Sequence, residues 1–178
     1  MITRLPVALL ATLAAATALA AADAIRVVSL VKDQRVQVSF TMEHGFTEDL
    51  RAAIRSGLPT TISYDVDLRL EVAGWFDKTL QSSAVSAIAQ YDNLTRRYRL
   101  SRTVDGRGEE PTATDDEEAV RRWLTTFERL PLFTTDRLEA NVEYYVRVRA
   151  RSRPWIAWFF WPWDRGTASG IAKFTFIQ

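Results

Sequence analysis

Residues 62–72 read ISYDVDLRLEV, the longest stretch of alternating apolar and polar residues in the chain. The even-numbered side chains from Ile62 to Val72 are apolar, and the odd-numbered ones from Ser63 to Glu71 are polar or charged. Successive side chains of a strand point to opposite faces, so this period of two predicts a strand with one buried and one solvated face. A half-solvated strand is typical of an antiparallel sheet.

Further strands are predicted on both sides of this one, at residues 25–31, 35–42, 79–91, 94–102, 142–151 and 168–177. In the segment 35–42 every even position is apolar, which repeats the same signature. Polar residues at Lys32-Asp33-Gln34 and at Asp92-Asn93 separate neighbouring strands and predict two hairpin turns.

Two short helices interrupt the strands. The first is predicted between Thr47, a suitable N-cap, and Pro59. The second starts where residues 114–117 (TDDE) match a capping box, and it ends near Leu130 because Pro131 cannot continue a helix. We expect ion pairs four residues apart on its outer face, namely Glu117–Arg121 and Glu118–Arg122.

About seven strands and two short helices without βαβ alternation predict a mainly β protein. The best match is an antiparallel β-sandwich, loosely immunoglobulin-like, and a half-open barrel is the alternative. With 178 residues, 47% of them hydrophobic and 25% charged, the chain has the composition of one globular domain with a packed core. We place that domain at residues 21–178.

The N-terminus has the features of a secretory signal peptide. A basic start that includes Arg4 precedes an alanine-rich apolar segment, and Ala18-Leu19-Ala20 supplies small residues for cleavage before Ala21. An uncleaved membrane anchor is the alternative interpretation. Residues 1–20 are therefore predicted to be a leader, and the mature protein is predicted to be periplasmic.

Composition excludes several classes of function. Removal of Arg4 with the leader reduces the 23 basic residues to 22 against 22 acidic ones, so charge gives no support for a nucleic-acid partner. The chain has no cysteine, which excludes a thiol nucleophile, a thiolate metal site and a lipoprotein anchor.

No catalytic motif is present, so we expect no enzyme and no cofactor or metal. The single histidine, His44, has no partner for nucleophilic catalysis and is interpreted as a surface residue. An enzyme would require Asp65, Asp67 and Asp92 to share one cleft. The acidic run at residues 115–118 is explained by its position at a helix start, where acids complement the helix dipole.

The predicted strand 142–151 carries Arg147, Arg149 and Arg151 on one face. Cross-strand pairing with Asp65 and Asp67 is the favoured interpretation of this row. Binding of anions, such as lipid headgroups, is the alternative.

This arginine strand leads into an aromatic segment at residues 155–163, which holds four of the six tryptophans. Aromatic and basic side chains together are typical of membrane interfaces and of protein-binding hot spots. The segment is too short to cross a bilayer. The same rings could instead fold back onto the core. The candidate contact surface consists of Trp155, Trp158, Phe159, Phe160, Trp161 and Trp163.

Five short stretches resemble an uncharacterised exported proteobacterial family, domain of unknown function 4390. They are residues 46–48, 58–60, 75–77, 91–98 and 144–149, of which 91–98 (YDNLTRRY) is the most specific. The resemblance covers essentially the whole mature chain, although its aromatic segment is richer in tryptophan than the family pattern. It implies an exported β-rich protein that is often encoded beside a membrane sensor kinase. It implies no activity, ligand or catalytic residue.

These observations favour a non-catalytic periplasmic interaction module that contacts a membrane protein, with a sensor kinase as one candidate, or a membrane surface. The alternative is a carrier that holds a small apolar or lipid ligand inside the sandwich. The oligomeric state is left open.

Overall fold

The computed structural model of the protein describes residues 25–72, 77–154 and 168–177. The predicted leader at residues 1–20, and Trp75 and Phe76 from the family-like stretches, lie outside the described residues.

The described residues form ten strands and two helices. In chain order these are β1 (Ile25–Lys32), β2 (Arg35–Met42), α1 (Glu48–Arg55), β3 (Thr60–Leu70), β4 (Lys78–Asp92), β5 (Arg97–Val104), β6 (Arg107–Gly108), β7 (Thr112–Thr114), α2 (Glu117–Thr125), β8 (Thr126–Thr134), β9 (Glu143–Pro154) and β10 (Ala168–Thr175).

All strand pairs are antiparallel and belong to two sheets. The small sheet has the order β1-β2-β8, and the large one has the order β10-β9-β3-β4-β5-β6 with β7 also paired to β5. This arrangement confirms the predicted mainly β sandwich with two short helices. The strands β6, β7 and β8 are additional to the seven predicted from sequence.

The core lies between the two sheets, and the predicted alternation is confirmed there as far as Leu68, whereas Val72 lies beyond the end of β3 and is exposed. Ile62, Tyr64, Val66 and Leu68 are all fully buried. The ring of Tyr64 lies 4.9 Å from that of Phe40 in β2 and 5.1 Å from that of Phe127 in β8. Tilted and edge-on contacts of this kind add to the stability that comes from burying the rings.

The hydroxyl of Tyr64 donates a hydrogen bond to the carbonyl oxygen of Leu124, 2.7 Å away, at the end of α2. Burial raises the pKa of Tyr64 well above its ordinary value, so the phenol remains a neutral donor. The helix is thereby joined to the centre of the large sheet. Neither helix in the described part of the chain has the length and hydrophobicity of a membrane span.

The prediction that the second helix reaches Leu130 was wrong. The helix ends at Thr125, and Thr126 begins β8 without an intervening loop. Pro131 is tolerated in β8 because this strand is an edge of the small sheet, and its pairing with β2 shifts register beside Gln37. A proline marks the end of a helix in sequence, but at a sheet edge it is compatible with a strand.

The start of α2 also differs from the prediction. Asp116, and not Thr114, is the N-cap, and its carboxylate accepts a hydrogen bond from the backbone of Glu118.

The expected ion pairs of α2, Glu117–Arg121 and Glu118–Arg122, are replaced by others. Glu118 pairs with Arg121 at 2.8 Å, while Glu117 pairs with Arg51 and Arg55 of α1. Glu117 therefore connects the two helices, a contact that the spacing within α2 does not show.

The two sheets meet along one side, where β10 lies against β1. A Cβ atom on Gly170 would lie 1.9 Å from the carbonyl oxygen of Ile25. No side chain fits there unless the backbone moves. The glycine therefore allows the close approach of the two strands.

We expect the substitution Gly170→Ala to reduce the free energy of unfolding by about 2 kcal/mol, since a clash with backbone cannot be relieved by a rotamer change. Urea denaturation measures the loss. Gly108→Ala is the matched control, because the nearest atom to its added Cβ would be 4.0 Å away. Equal stabilities of the two variants would contradict the close contact.

Candidate functional site

The outer face of the large sheet carries the arginine row and the acidic residues predicted to pair with it. In the register of β3 and β9, Asp67 lies opposite Arg147 and Asp65 lies opposite Arg149. Arg151 lies one step further along β9, opposite Ser63. The odd-numbered residues of both strands therefore share one face, as the alternation requires.

Asp67 is the centre of this face. Its Oδ2 atom accepts hydrogen bonds from Arg147 at 2.9 Å and from Arg149 at 3.1 Å, and its Oδ1 atom accepts one from Ser82 of β4 at 2.8 Å. The side chain of Asp67 is only 9% exposed. Two long side chains reach one carboxylate because diagonal cross-strand neighbours are close enough for arginine to contact.

The pKa of Asp67 reflects two opposed effects. Burial alone raises it, but hydrogen bonds from Arg147 and Ser82 and the charges of Arg149 and Arg147 outweigh burial and leave it below its ordinary value. Asp67 is therefore a carboxylate at neutral pH. It neutralises part of the positive charge of β9.

Two further arginines of the outer face, Arg151 and Arg69, also have partners. Arg151 lies 2.7 Å from a carboxylate oxygen of Asp65. Arg69 donates to the carbonyl oxygen of Asp77 at 2.9 Å, and its guanidinium lies 5.8 Å from the ring centre of Tyr145. The predicted cross-strand pairing of Asp65 and Asp67 with the arginines of β9 is confirmed.

Tyr145 makes a separate polar contact on the same face of β9. Its hydroxyl donates to a carboxylate oxygen of Asp77 at 2.5 Å. Burial, reinforced by this hydrogen bond, raises the pKa of Tyr145. The face thus carries three separate polar groups, centred on Asp67, Asp65 and Asp77, and the first two join β9 to β3.

Asp65, Asp67 and Asp92 do not share a cleft. Asp92 is eight residues beyond Ala84, the β4 residue paired with Asp65, and at about 3.4 Å per residue the two levels are about 27 Å apart. Instead, Asp92 accepts hydrogen bonds from the backbone of Leu94 at 2.9 Å and of Thr95 at 3.3 Å. It organises a turn.

The other candidate chemical groups are placed on the surface or in helix contacts. His44 is exposed in the segment after β2. The acidic run at residues 115–118 serves the N-cap and the ion pairs of α2 described above. Within residues 25–72, 77–154 and 168–177, no group of three or more potential metal ligands is brought together.

The six aromatic residues of the predicted contact surface lie outside the described residues. These are Trp155, Trp158, Phe159, Phe160, Trp161 and Trp163. What is described is the strand that precedes them, whose last residue Pro154 pairs with Thr60 of β3. Pro154 and Thr60 lie at one end of the strands of the large sheet. We call this the Thr60 end, where β3 and β5 begin and β4 and β9 end.

The Thr60 end also contains a residue that was predicted to lie in the strand 94–102, although β5 begins only at Arg97. Leu94, in the connection between β4 and β5, is 96% exposed. We call residues 92–99, with sequence DNLTRRYR, the hairpin tip. The signal available in the sequence was a leucine where a turn is usually polar, next to three arginines.

Arg102 of β5 is a second residue that the sequence analysis missed. Its guanidinium lies 4.2 Å from the ring centres of both Trp123 and Phe127. It donates hydrogen bonds to the carbonyl oxygens of Trp123 and Thr126, at the end of α2. This contact is structural, and nothing in the local sequence separates it from its exposed neighbour Arg99.

Comparison with known proteins agrees with the resemblance seen in the sequence. A family model described as a domain of unknown function, DUF4390, matches residues 20–154. The match begins where the predicted leader ends, and it stops before the aromatic segment and β10, so it is shorter than the whole mature chain. No curated protein and no solved structure matches.

Proposed function

The chain belongs to the DUF4390 family, a domain of unknown function, and from its own residues we propose that it is a non-catalytic periplasmic interaction module. In this proposal the protein contacts a membrane surface or a membrane protein through the Thr60 end of its large sheet. A membrane sensor kinase is the candidate partner that the family resemblance implies.

The observation that carries the proposal is the way β9 is held. Arg147 and Arg149 form ion pairs with Asp67, and Arg151 forms one with Asp65. The strand pairing with β3 continues to Pro154, which lies opposite Thr60. Because these arginines are engaged with carboxylates of the same face, we assign them a structural role and not one in anion binding. The strand is thereby paired with β3 as far as Pro154, the residue after which the aromatic segment begins.

The residues that follow this strand are those with the character of a contact surface. Tryptophan places an apolar ring and a polar N–H side by side, and it is enriched in membrane interfaces and in protein hot spots. The leader-like sequence of residues 1–20 favours an exported location, where such a surface would face a membrane.

The alternative function, a carrier of an apolar ligand, gains little from the described residues. The rings of Phe40, Tyr64 and Phe127 fill the space between the sheets at its centre. Two surface depressions among the described residues lie at the side where β1 meets β10 and beside the β4–β5 turn. Neither depression is lined by the core residues Phe40, Tyr64 or Phe127.

We expect the double substitution Trp158→Ser and Trp161→Ser to lower the share of protein that co-purifies with membranes by roughly tenfold, because interfacial aromatic anchors are removed. The exported protein is fractionated with the membranes of its host, and the fold is followed by circular dichroism. Leu30→Ser is the control, since Leu30 is 53% exposed on the small sheet.

Unchanged membrane association of the double variant contradicts the proposal. Loss of its folding transition also contradicts it, because the rings would then belong to the core. Treatment of the membranes with protease before mixing separates a protein partner, whose binding is lost, from a lipid surface, whose binding persists.

A further inference from the structure

We propose that the hairpin tip is a second membrane contact, in which Leu94 inserts into an anionic lipid surface beside the arginines that follow it in the tip. This inference rests on the proposed function and specifies its partner as lipid. It concerns a part of the molecule that is separate from the aromatic segment.

The first observation is that Leu94 is exposed while its backbone is hydrogen-bonded. Its side chain is 96% exposed, yet its backbone N–H is bound by the Asp92 carboxylate at 2.9 Å. The same carboxylate binds the N–H of Thr95, and Arg96 adopts a left-handed conformation with φ of 54°. A single exposed leucine is ordinary on a protein surface. Because hydrogen bonds to Asp92 already order the backbone of this turn, Leu94 loses little conformational freedom when it inserts into lipid. A small entropy loss favours binding.

The second observation is the charge around Leu94. The hairpin tip carries the exposed residues Arg96, Arg97 and Arg99 against one acid, Asp92. The nearest approach of Arg99 to that acid is 3.8 Å, and Arg97 donates to the carbonyl oxygen of Ala113, a neutral group. Positive charge in excess of acid next to an apolar side chain complements the negative surface potential of anionic lipids.

The third observation is the placement of the tip. Ala89 of β4 and Pro154 of β9 both pair with Thr60, on its two sides. The chain continues three residues past Ala89 before β4 ends at Asp92, so Leu94 lies beyond the Thr60 end. Leu94 and the residue after which the aromatic segment begins therefore lie at one end of the sheet, where both can approach the same planar surface.

The absence of cysteine from the chain allows a direct test, because a single introduced cysteine can be labelled without other substitutions. The full chain is expressed, and the exported protein with Leu94→Cys carries an environment-sensitive fluorophore. Vesicles of phosphatidylcholine with phosphatidylglycerol should shift its emission to the blue. The same label at Leu30→Cys, on the small sheet, should not respond.

Binding measurements on the same vesicles test the two components of the contact. We expect Leu94→Ser to weaken binding by roughly tenfold, given the apolar area of a leucine side chain. Arg96→Gln should weaken binding to anionic vesicles by roughly fivefold and leave binding to pure phosphatidylcholine unchanged. Arg96→Lys, which keeps the charge on the same backbone, should bind like the unchanged protein.

Several outcomes overturn the inference. One is an equal spectral response at positions 94 and 30, and another is undiminished binding of the Leu94→Ser variant. A third is a protein that associates with native membranes but not with protein-free vesicles, because the tip would then face a protein. In the second and third cases the proposed function survives if the tryptophan substitutions still lower membrane association, so the two failures are distinguishable.

Discussion

Replacing Arg102 with alanine should lower the free energy of unfolding by about 4 kcal/mol, because one side chain makes several partly buried contacts. The guanidinium donates to the carbonyl oxygens of Trp123 and Thr126, the latter at 2.8 Å. The last carbonyl groups of a helix have no donor within the helix. Without Arg102, these groups at the end of α2 lose their partner.

Packing and charge add to this effect. The guanidinium lies between the rings of Trp123 and Phe127, and its positive charge is placed at the negative end of the helix dipole. Burial lowers the pKa of Arg102, but an arginine stays protonated at neutral pH. The alanine variant therefore loses hydrogen bonds, ring contacts and a favourable charge together.

Urea denaturation, followed by circular dichroism, measures this loss. Arg102→Lys keeps the positive charge but lacks the planar guanidinium with its several N–H donors. Its free energy of unfolding should therefore lie between those of the alanine variant and the unchanged protein. Arg99→Ala is the matched control in the same strand, since Arg99 is 67% exposed and should change stability by less than about 0.5 kcal/mol. A loss below about 1 kcal/mol for Arg102→Ala would show that water replaces its contacts.

Replacing Asp67 with alanine should cost about 3 kcal/mol, because it leaves Arg147 and Arg149 without their shared carboxylate. Removal of one partner from a buried ion pair costs about 3–5 kcal/mol, and the lower end applies here because both arginines are partly exposed. Asp65→Ala is the matched control on the same strand. The Asp65 side chain is 31% exposed and its partner Arg151 is 51% exposed, so a loss below about 1 kcal/mol is expected.

The same carboxylate predicts a pH dependence. Because the pKa of Asp67 is lower in the folded protein than in the unfolded chain, its contribution is fully present above the unfolded value of 3.8. That contribution is lost as the pH falls from this value through the folded pKa. Asp67→Asn should remove this part of the acid dependence, so its stability should fall less steeply below about pH 4. Parallel acid profiles of the two proteins would rule out Asp67 as the titrating group.

Much of the β framework was predictable from local patterns. The alternation at residues 62–72 identifies the buried face of β3, and polar turns identify the hairpins β1–β2 and β4–β5. The sequence also predicts Thr47 as the N-cap of α1, and its hydroxyl accepts a hydrogen bond from the backbone of Leu50. These features depend on residues close in sequence, so their physical cause can be read from composition and spacing.

The errors occurred where a distant contact competes with a local rule. Pro131 predicts the end of a helix, but it lies in β8, an edge strand, where a proline is compatible with strand structure. Glu117 has an arginine at the ideal spacing in its own helix, yet it binds Arg51 and Arg55 because α1 packs beside it. A weak pairing within one helix is easily replaced by a tertiary one.

The sequence by itself determined the mainly β class and the buried face of β3. It also determined that the acids of β3 pair with the arginines of β9. All of these follow from side-chain alternation and charge. Only the tertiary structure decided that Asp67 takes two arginines, that Arg102 binds the end of α2, and that Leu94 and Pro154 lie at one end of the sheet. Strand register and helix packing bring together residues far apart in the chain, and local sequence does not encode their distances.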